Sequence, residues 1–356
     1  MKKDREIKEF NRKMKQIDYS ILKLLNKRAH LIKENASLVE ISKFFVEDTY
    51  LHCLAEENAG PFPEKAVRPV FQEILSASYS IIRPIRIAYF GPPATFTHIA
   101  TLKKFGSSQN LVPVTSIEDV FCEVESDSSD FGVVPVENST EGMVSYTLDM
   151  FVDSDLKICD EIMVEIHHNL LSKSSDIKKI KKIFSHPQPI AQSRAWLRSH
   201  VPNIPIIEAT STSKAAELAT EDESIAAIAS VEAAKFYNLN ILQSRIEDRV
   251  NNYTRFLVIG KNQLPRSGKD KTSLIFSIKD RVAALYHMLA PFARHSISLT
   301  KIESRPTKKK PWEYIFFVDI QGHIEDEDVK ESLIELEEMC IFLKVLGSYP
   351  ANRNGK

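Results

Sequence analysis

The spacing of apolar residues changes character once along this chain, and that change rules out one repeating architecture. From Phe10 the apolar positions fall at Met14, Ile17, Ile21, Leu24 and Leu31, the three-and-four step that marks one side of a long helix. Arg28 lies on that stripe. A cation there needs a partner, because an unpaired buried charge is costly, and a neighbouring acid or a bound carboxylate would each serve. A second helix is expected over 42–57, the turn Gly60-Pro61-Phe62-Pro63 breaks it, and a third covers 64–82. Three helices of unequal length do not easily close a core alone, so pairing with a second copy is expected. After Arg83-Pro84 the pattern becomes short apolar strands at 85–90, 132–136 and 225–229, alternating with amphipathic stretches at 190–197 and 214–218. That alternation is the mark of an α/β layer fold. A polar stretch, 261–271, precedes strand 272–278, helix 282–293, strands 297–304 and 312–321, helix 325–338 and strand 341–346. This βαββαβ order is the ferredoxin-like arrangement. The expected chain is therefore multidomain, with an all-α helical domain over 1–83, an α/β domain over 85–261 and an α+β domain over 271–350.

Composition limits what such a chain does. Its 47 basic and 48 acidic residues leave a net charge of −1, so no global field favours nucleic acid or an anionic membrane. An anionic ligand has to be met by local charges. The amino end is polar and no apolar run reaches the length of a membrane span, which points to the cytoplasm and to no membrane partner. Cys53, Cys122, Cys159 and Cys340 are scattered without Cys-x-x-Cys spacing and read as reduced thiols. If neighbours His167 and His168 lie in a strand they point to opposite faces, which argues against a shared metal site. With no glycine-rich phosphate loop, neither a metal nor a cofactor is expected. The lysines of 177–183 read as a solvated face.

Four short runs carry chemistry: Gly91-Pro92 with Thr95-Phe96-Thr97-His98; Pro135-Val136-Glu137-Asn138-Ser139; Ser185-His186-Pro187-Gln188; and Thr254-Arg255-Phe256 just after Asn252. Each alone is ordinary, since hydroxyls before helices cap them and Thr and Phe favour strands. Together, in this order and spacing over about 86–261, they resemble the prephenate dehydratases. The resemblance implies a two-lobed, periplasmic-binding-protein-like α/β domain with its site in the cleft. It also implies prephenate as substrate, losing its ring hydroxyl as water and a carboxylate as CO2 to leave phenylpyruvate. A dianion suits amides at helix starts together with hydroxyls; Thr95, Ser139, Ser185, His186, Ser211 and Thr212 are the expected binders. Thr254 is expected to donate to the departing hydroxyl as a preorganised donor, with Asn138 and Gln188 as polar supports. Arg255 is expected to bind a carboxylate, a salt bridge to Glu247 or Asp248 being the alternative, while Phe256 reads as core. His186, before Pro187 at a helix start, reads as a positioning group.

Both flanks carry further likenesses. Ile17-Asp18, Leu24-Leu25-Asn26-Lys27-Arg28-Ala29 and Phe71-Gln72-Glu73-Ile74-Leu75 resemble the helical chorismate mutase domain, which grips a dianion through several cations. Arg28 stands at a family arginine, whereas Asn11, Val39 and Leu51-His52 fall where that family carries two arginines, a lysine and a glutamate; Lys33 or Lys43 fills in if a gap shifts the register. Weak or absent mutase activity, with helices kept for assembly, is expected. The last segment resembles an ACT domain, a phenylalanine-sensing module, through Ala284-Leu285 and Glu303-Ser304-Arg305-Pro306. Ala283 and Ser296 replace family glycines, and their added side chains weaken close approach of an amino-acid ligand. Because such ligands sit between two copies, a homodimer or homotetramer is expected. The leading expectation is a cytoplasmic prephenate dehydratase of phenylalanine synthesis under feedback by L-phenylalanine. The alternatives are a fully bifunctional mutase/dehydratase and a non-catalytic amino-acid or keto-acid sensor.

Overall fold

The computed structural model describes residues 2–36, 50–51, 53–278, 282–306 and 314–351. They fall into two compact units, residues 1–85 with 105–110, and residues 86–104 with 111–356.

In the first unit a helix covers Lys2–Glu34 and another Glu64–Ser80. The apolar stripe of the long helix is uncovered in a single chain: Phe10 is 61% exposed and Leu24 68%. Arg28 is half-buried, and its Nη1 finds no hydrogen-bond partner among the described residues. The second helix starts after Pro63, whose extended backbone suits the residue before a first turn, and buries Val67 and Leu75. Buried Gln109 donates to the Ser76 carbonyl at 2.7 Å and accepts from the Ile85 amide at 2.8 Å. Of the expected helix over 42–57, residues 42–49 and 52 lie outside the described residues, as do Val39 and Lys43; residues 50–51 and 53–56 are helical.

The second unit holds three sheets. The first has the order Asn110–Val114, Arg86–Phe90, Phe131–Asn138, Tyr253–Gly260, Lys157–Glu165, with the short strand Gly142–Met143 on the edge of Phe131–Asn138. The second runs Asn240–Gln243, Asn169–Ser172, Ile225–Ala229, Lys182–Ser185, Ile206–Glu208. The chain crosses to the second sheet at 166–168 and returns at 244–252. It therefore makes two α/β lobes, as expected. A capping box between Ser116 and Asp119 opens the helix Ile117–Glu125, which buries Val120, Phe121 and Val124 in the first lobe's core.

The third sheet orders Leu299–Pro306, Tyr314–Gln321, Asp270–Ile278, Phe342–Pro350, all antiparallel. The helices Ala284–Arg294 and Glu327–Met339 bury Phe292 and Leu336 against Phe276 and Phe316. Chain order is strand, helix, strand, strand, helix, strand. The strand Tyr253–Gly260 is apolar and buried from Phe256 to its end, the composition of a strand covered on both faces. The third sheet supplies one cover: Ile275, Phe317, Leu346 and Tyr349 belong to the same core as Val136, Ile158 and Leu257. Gly347 passes so close to the strand Lys157–Glu165 that an added Cβ would stand 2.3 Å from the Ile158 carbonyl oxygen. Ala283 and Ser296 both have left-handed backbone, with φ of 59° and 54°, which a Cβ disfavours.

Candidate active site

Successive side chains of a strand face opposite ways, and this sorts the residues around Thr254. Thr254 pairs with Asn138 across neighbouring antiparallel strands, and Arg255 pairs with Glu137. The register then slips so that Phe256 faces Pro135. Val136 is the extra residue of a bulge, which puts Pro135 and Asn138, with Thr254 and Phe256, on the side lining a cavity of about 790 Å³.

The polar end of that cavity is ordered by amides. Asn138 Oδ1 accepts from the Thr140 amide at 3.0 Å, the Thr140 hydroxyl at 2.6 Å and the Glu141 amide at 3.2 Å. With its oxygen taken by three donors, Asn138 Nδ2 donates to Thr254 Oγ1 at 2.8 Å and to Asn252 Oδ1 at 2.9 Å. A hydroxyl whose oxygen already accepts has its own proton left to give. Asn252 Nδ2 in turn donates to Gln192 Oε1 at 3.1 Å. That oxygen also lies 2.8 Å from His168 Nε2, so His168 carries its proton on Nε2 and leaves Nδ1 bare, buried and unpartnered. Burial holds the pKa of His168 below the ordinary value, against the Gln192 hydrogen bond and the Glu247 charge. Glu247 accepts from the His168 amide at 3.0 Å and lies 2.8 Å from His167 Nδ1. Burial pushes its carboxyl up, but these contacts outweigh burial and leave it below the ordinary value.

Helix starts furnish the opposite wall. Ser211 caps Thr212–Leu218 by accepting from the Lys214 amide at 2.9 Å, and His186 caps Pro187–Gln192 by accepting from the Gln188 amide. Thr95 donates to the Pro92 carbonyl at 2.9 Å. Thr95, His186, Gln188, Ser211 and Thr212 all line the cavity. Among the described residues Lys214 is the one lysine or arginine lining it. It lies 2.9 Å from Glu217.

Three expected binders lie elsewhere. Arg255 is turned by strand alternation onto the opposite face, where Nη2 donates to Asp319 at 2.7 Å and to Tyr349 at 3.0 Å. Its Nε lies 2.8 Å from Glu161 in an ion pair. Neither Glu247 nor Asp248 is its partner. Burial opposes the guanidinium charge, but Tyr349, Asp319 and Glu161 outweigh it, so it stays charged at any ordinary pH. Ser139 accepts from the Tyr253 amide at 2.9 Å, and fully buried Ser185 donates to the Ile228 carbonyl at 2.7 Å; neither lines the cavity. Phe256, expected as core, is both core and cavity wall. Gln188 reaches the cavity but makes no bond to the Asn138 cluster; Gln192, one turn on, does. Gln192, His168 and Lys214 are the site residues that sequence reasoning missed, while Asn252 stands in a run it names but without a role.

In the C-terminal sheet, Ala284 opens its helix behind Ala283 and Leu285 is 42% exposed. Glu303, Ser304, Arg305 and Pro306 end the strand Leu299–Pro306. Arg305 lies 2.9 Å from Asp149 of the first lobe. Among the described residues no group of His, Cys, Asp or Glu could hold a metal ion, and no helix is long and apolar enough to cross a membrane.

Residues 87–264 match the prephenate dehydratase family model and residues 272–338 the ACT domain model. Over 354 residues the chain is 49% identical to a bifunctional chorismate mutase/prephenate dehydratase of Aquifex aeolicus, covering 97% of this chain and 98% of that one. The chain belongs to the prephenate dehydratase family. A prephenate dehydratase from Arthrobacter aurescens, solved in complex with L-Phe, is similar to the dehydratase and ACT modules with a TM-score of 0.70. It is 31% identical and covers 75% of this chain and 90% of that one. A structure described as GqqA, a novel type of quorum quenching acylase, is similar with the same TM-score at 26% identity, covering 76% of this chain and 100% of that one. Shape alone therefore does not choose a reaction, and the side chains of the cavity have to.

Proposed function

We propose that the chain converts prephenate to phenylpyruvate by decarboxylating dehydration. The observation that carries this is the setting of Thr254: it lines the cavity and Asn138 donates to its oxygen at 2.8 Å, so its own proton is left to give to a group bound there. In the proposed step the ring C–O bond breaks while Thr254 hydrogen-bonds to the departing oxygen, which takes up one proton from solvent and leaves as water. The ring carboxylate leaves as CO2, and the electrons of its C–C bond complete the aromatic ring. A threonine is too weak an acid to give up its proton outright. Its part is a fixed hydrogen bond that strengthens as charge grows on the leaving oxygen, worth on the order of 10²–10⁴ in rate. Lys214, Ser211 and Thr212 supply charge and hydroxyls for a substrate carboxylate, and Phe256, Pro135 and Ile166 give the cavity an apolar wall that suits the forming ring.

The dehydratase is assigned to 85–261 and a ferredoxin-like ACT module with L-phenylalanine as effector to 271–350. The mutase-like helices take 1–83. There Arg28 stands at a family cation position while Asn11 and Val39 put no cation at two others, and in this reading the helices serve assembly into a dimer or tetramer rather than rapid turnover of chorismate. A cytoplasmic biosynthetic role follows from that assignment. The test is to supply the purified protein with prephenate and with chorismate separately and to follow phenylpyruvate. Thr254→Ala is expected to lower kcat about a hundredfold or more with KM nearly unchanged; near-normal turnover by that variant would sink the assignment.

A further inference from the structure

The two residues beside the Asn138–Thr254 pair lead away from the cavity and end on the C-terminal sheet. Glu137 immediately precedes Asn138 and pairs with Lys301. Arg255 immediately follows Thr254 and pairs with Asp319, whose other oxygen accepts from Ser273 at 2.5 Å. Lys271 lies 2.6 Å from Glu161 and 3.4 Å from Asp319, and Ser273 lies 2.7 Å from the Tyr349 hydroxyl. Arg255 and Glu137 are themselves partners across the strand pair. One cross-strand pair thus faces the cavity, and the next, a single residue along, faces the C-terminal module. Arg255 and Asp319 are almost entirely buried, where a charge pair is held firmly and losing one member strands the other.

We infer that Glu137–Lys301 and Arg255–Asp319 are positioning pairs through which the C-terminal sheet fixes the geometry of the Asn138–Thr254 donor. This rests on the dehydratase reading. The two strands are locked at the donor by one amide bond above and by two charge pairs below, next to a bulge that locally interrupts the ladder. Without the pairs below, Glu137 and Arg255 can turn, and the peptide units that carry Asn138 and Thr254 turn with them. The strand Leu299–Pro306 presents Lys301, Glu303 and Arg305 on one side, the half-buried positions of an alternating pattern. A shift of that strand is therefore felt at Glu137 through Lys301, and at Asp149 through Arg305.

Simple attachment of one module to the other is the rival explanation, and Lys344 separates the two. It joins the same modules by donating to the Ser154 carbonyl at 2.6 Å, away from the donor strands. In the full chain, Lys301→Met and Glu137→Gln are expected to lower kcat for phenylpyruvate formation about 10- to 100-fold, with KM within about twofold. The double variant should be no worse than either alone, and Lys301→Arg should restore most of the rate. Lys344→Met is expected to leave kcat unchanged. Equal kcat in Lys301→Met and Lys344→Met, or additive losses in the double variant, would overturn the inference. If the unaltered protein leaves prephenate untouched, the dehydratase reading fails, and amide hydrogen exchange over 253–256 then decides this one. Faster exchange in Lys301→Met than in Lys344→Met supports the positioning pairs, and equal exchange refutes them.

Discussion

Replacing Asn138 by aspartate tests the donor geometry with almost no change of shape. Asn138 Oδ1 accepts three hydrogen bonds, and a carboxylate oxygen keeps all three. The loss is confined to Nδ2, which donates to Thr254 and Asn252. An oxygen in its place can only accept. Thr254 then turns its proton back to the new carboxylate and has none for the cavity, while Asn252 Oδ1 is left facing a second acceptor. Losing one preorganised donor to a developing charge costs about 3–4 kcal/mol of the barrier, so kcat for Asn138→Asp should fall about 10²- to 10³-fold. KM should rise as well, because the new carboxylate adds a negative charge where a dianion binds, so the fall in kcat is the part that reports the donor. Steady-state phenylpyruvate formation from prephenate measures both. A kcat within about threefold of the unaltered protein would refute the claim that Asn138 aims the Thr254 proton.

Three further outcomes follow from other parts of the molecule. Gly347→Ala puts a Cβ 2.3 Å from the backbone of Ile158, where neither side can give way cheaply; about 2–4 kcal/mol of stability is lost, read as a lower Tm. Lys214→Ala removes the cavity's cation and should raise KM for prephenate about tenfold while kcat changes little, in the same steady-state assay. For pH, burial holds the pKa of His168 and of His98 below the ordinary value of about 6.5. The unfolded chain takes up protons as pH falls through about 6.5 while the folded chain refuses them, so stability drops until the lowered pKa is reached. Thermal melts between about pH 7 and pH 5 should show that drop, and His168→Gln should flatten it in part, His98 keeping the remainder.

Periodicity carried most of the architecture. The helical step of Phe10 to Leu31, the α/β alternation after Pro84 and the final strand–helix order each come from a local rule that the tertiary fold does not override. The site was legible only where local pattern and long-range geometry coincide. Thr254 and Asn138 are strand residues of like parity, brought together by one antiparallel pairing. The chemistry of Arg255 suggests a carboxylate binder, but the period of two turns it away from Thr254's face. Gln192 was missed in favour of Gln188 because its partners, Asn252 and His168, lie 60 and 24 residues distant in the chain. A helix at 187–192 puts both glutamines one turn apart on a shared face, so that signal was present. Ser185 and Ser139 look like binders in sequence, yet both satisfy backbone groups: buried Ser185 the Ile228 carbonyl, as burial demands, and exposed Ser139 the Tyr253 amide.

The parity of the strand Tyr253–Gly260 also limits how such a chain can change over evolutionary time. Chemistry occupies its even positions near the bulge and attachment its odd ones, so a one-residue insertion or deletion ahead of Thr254 would exchange them. The threonine would then face Asp319 and the arginine the cavity, and a single slip would remove both the donor and the anchor. Length variation in this stretch is therefore confined to steps that preserve parity.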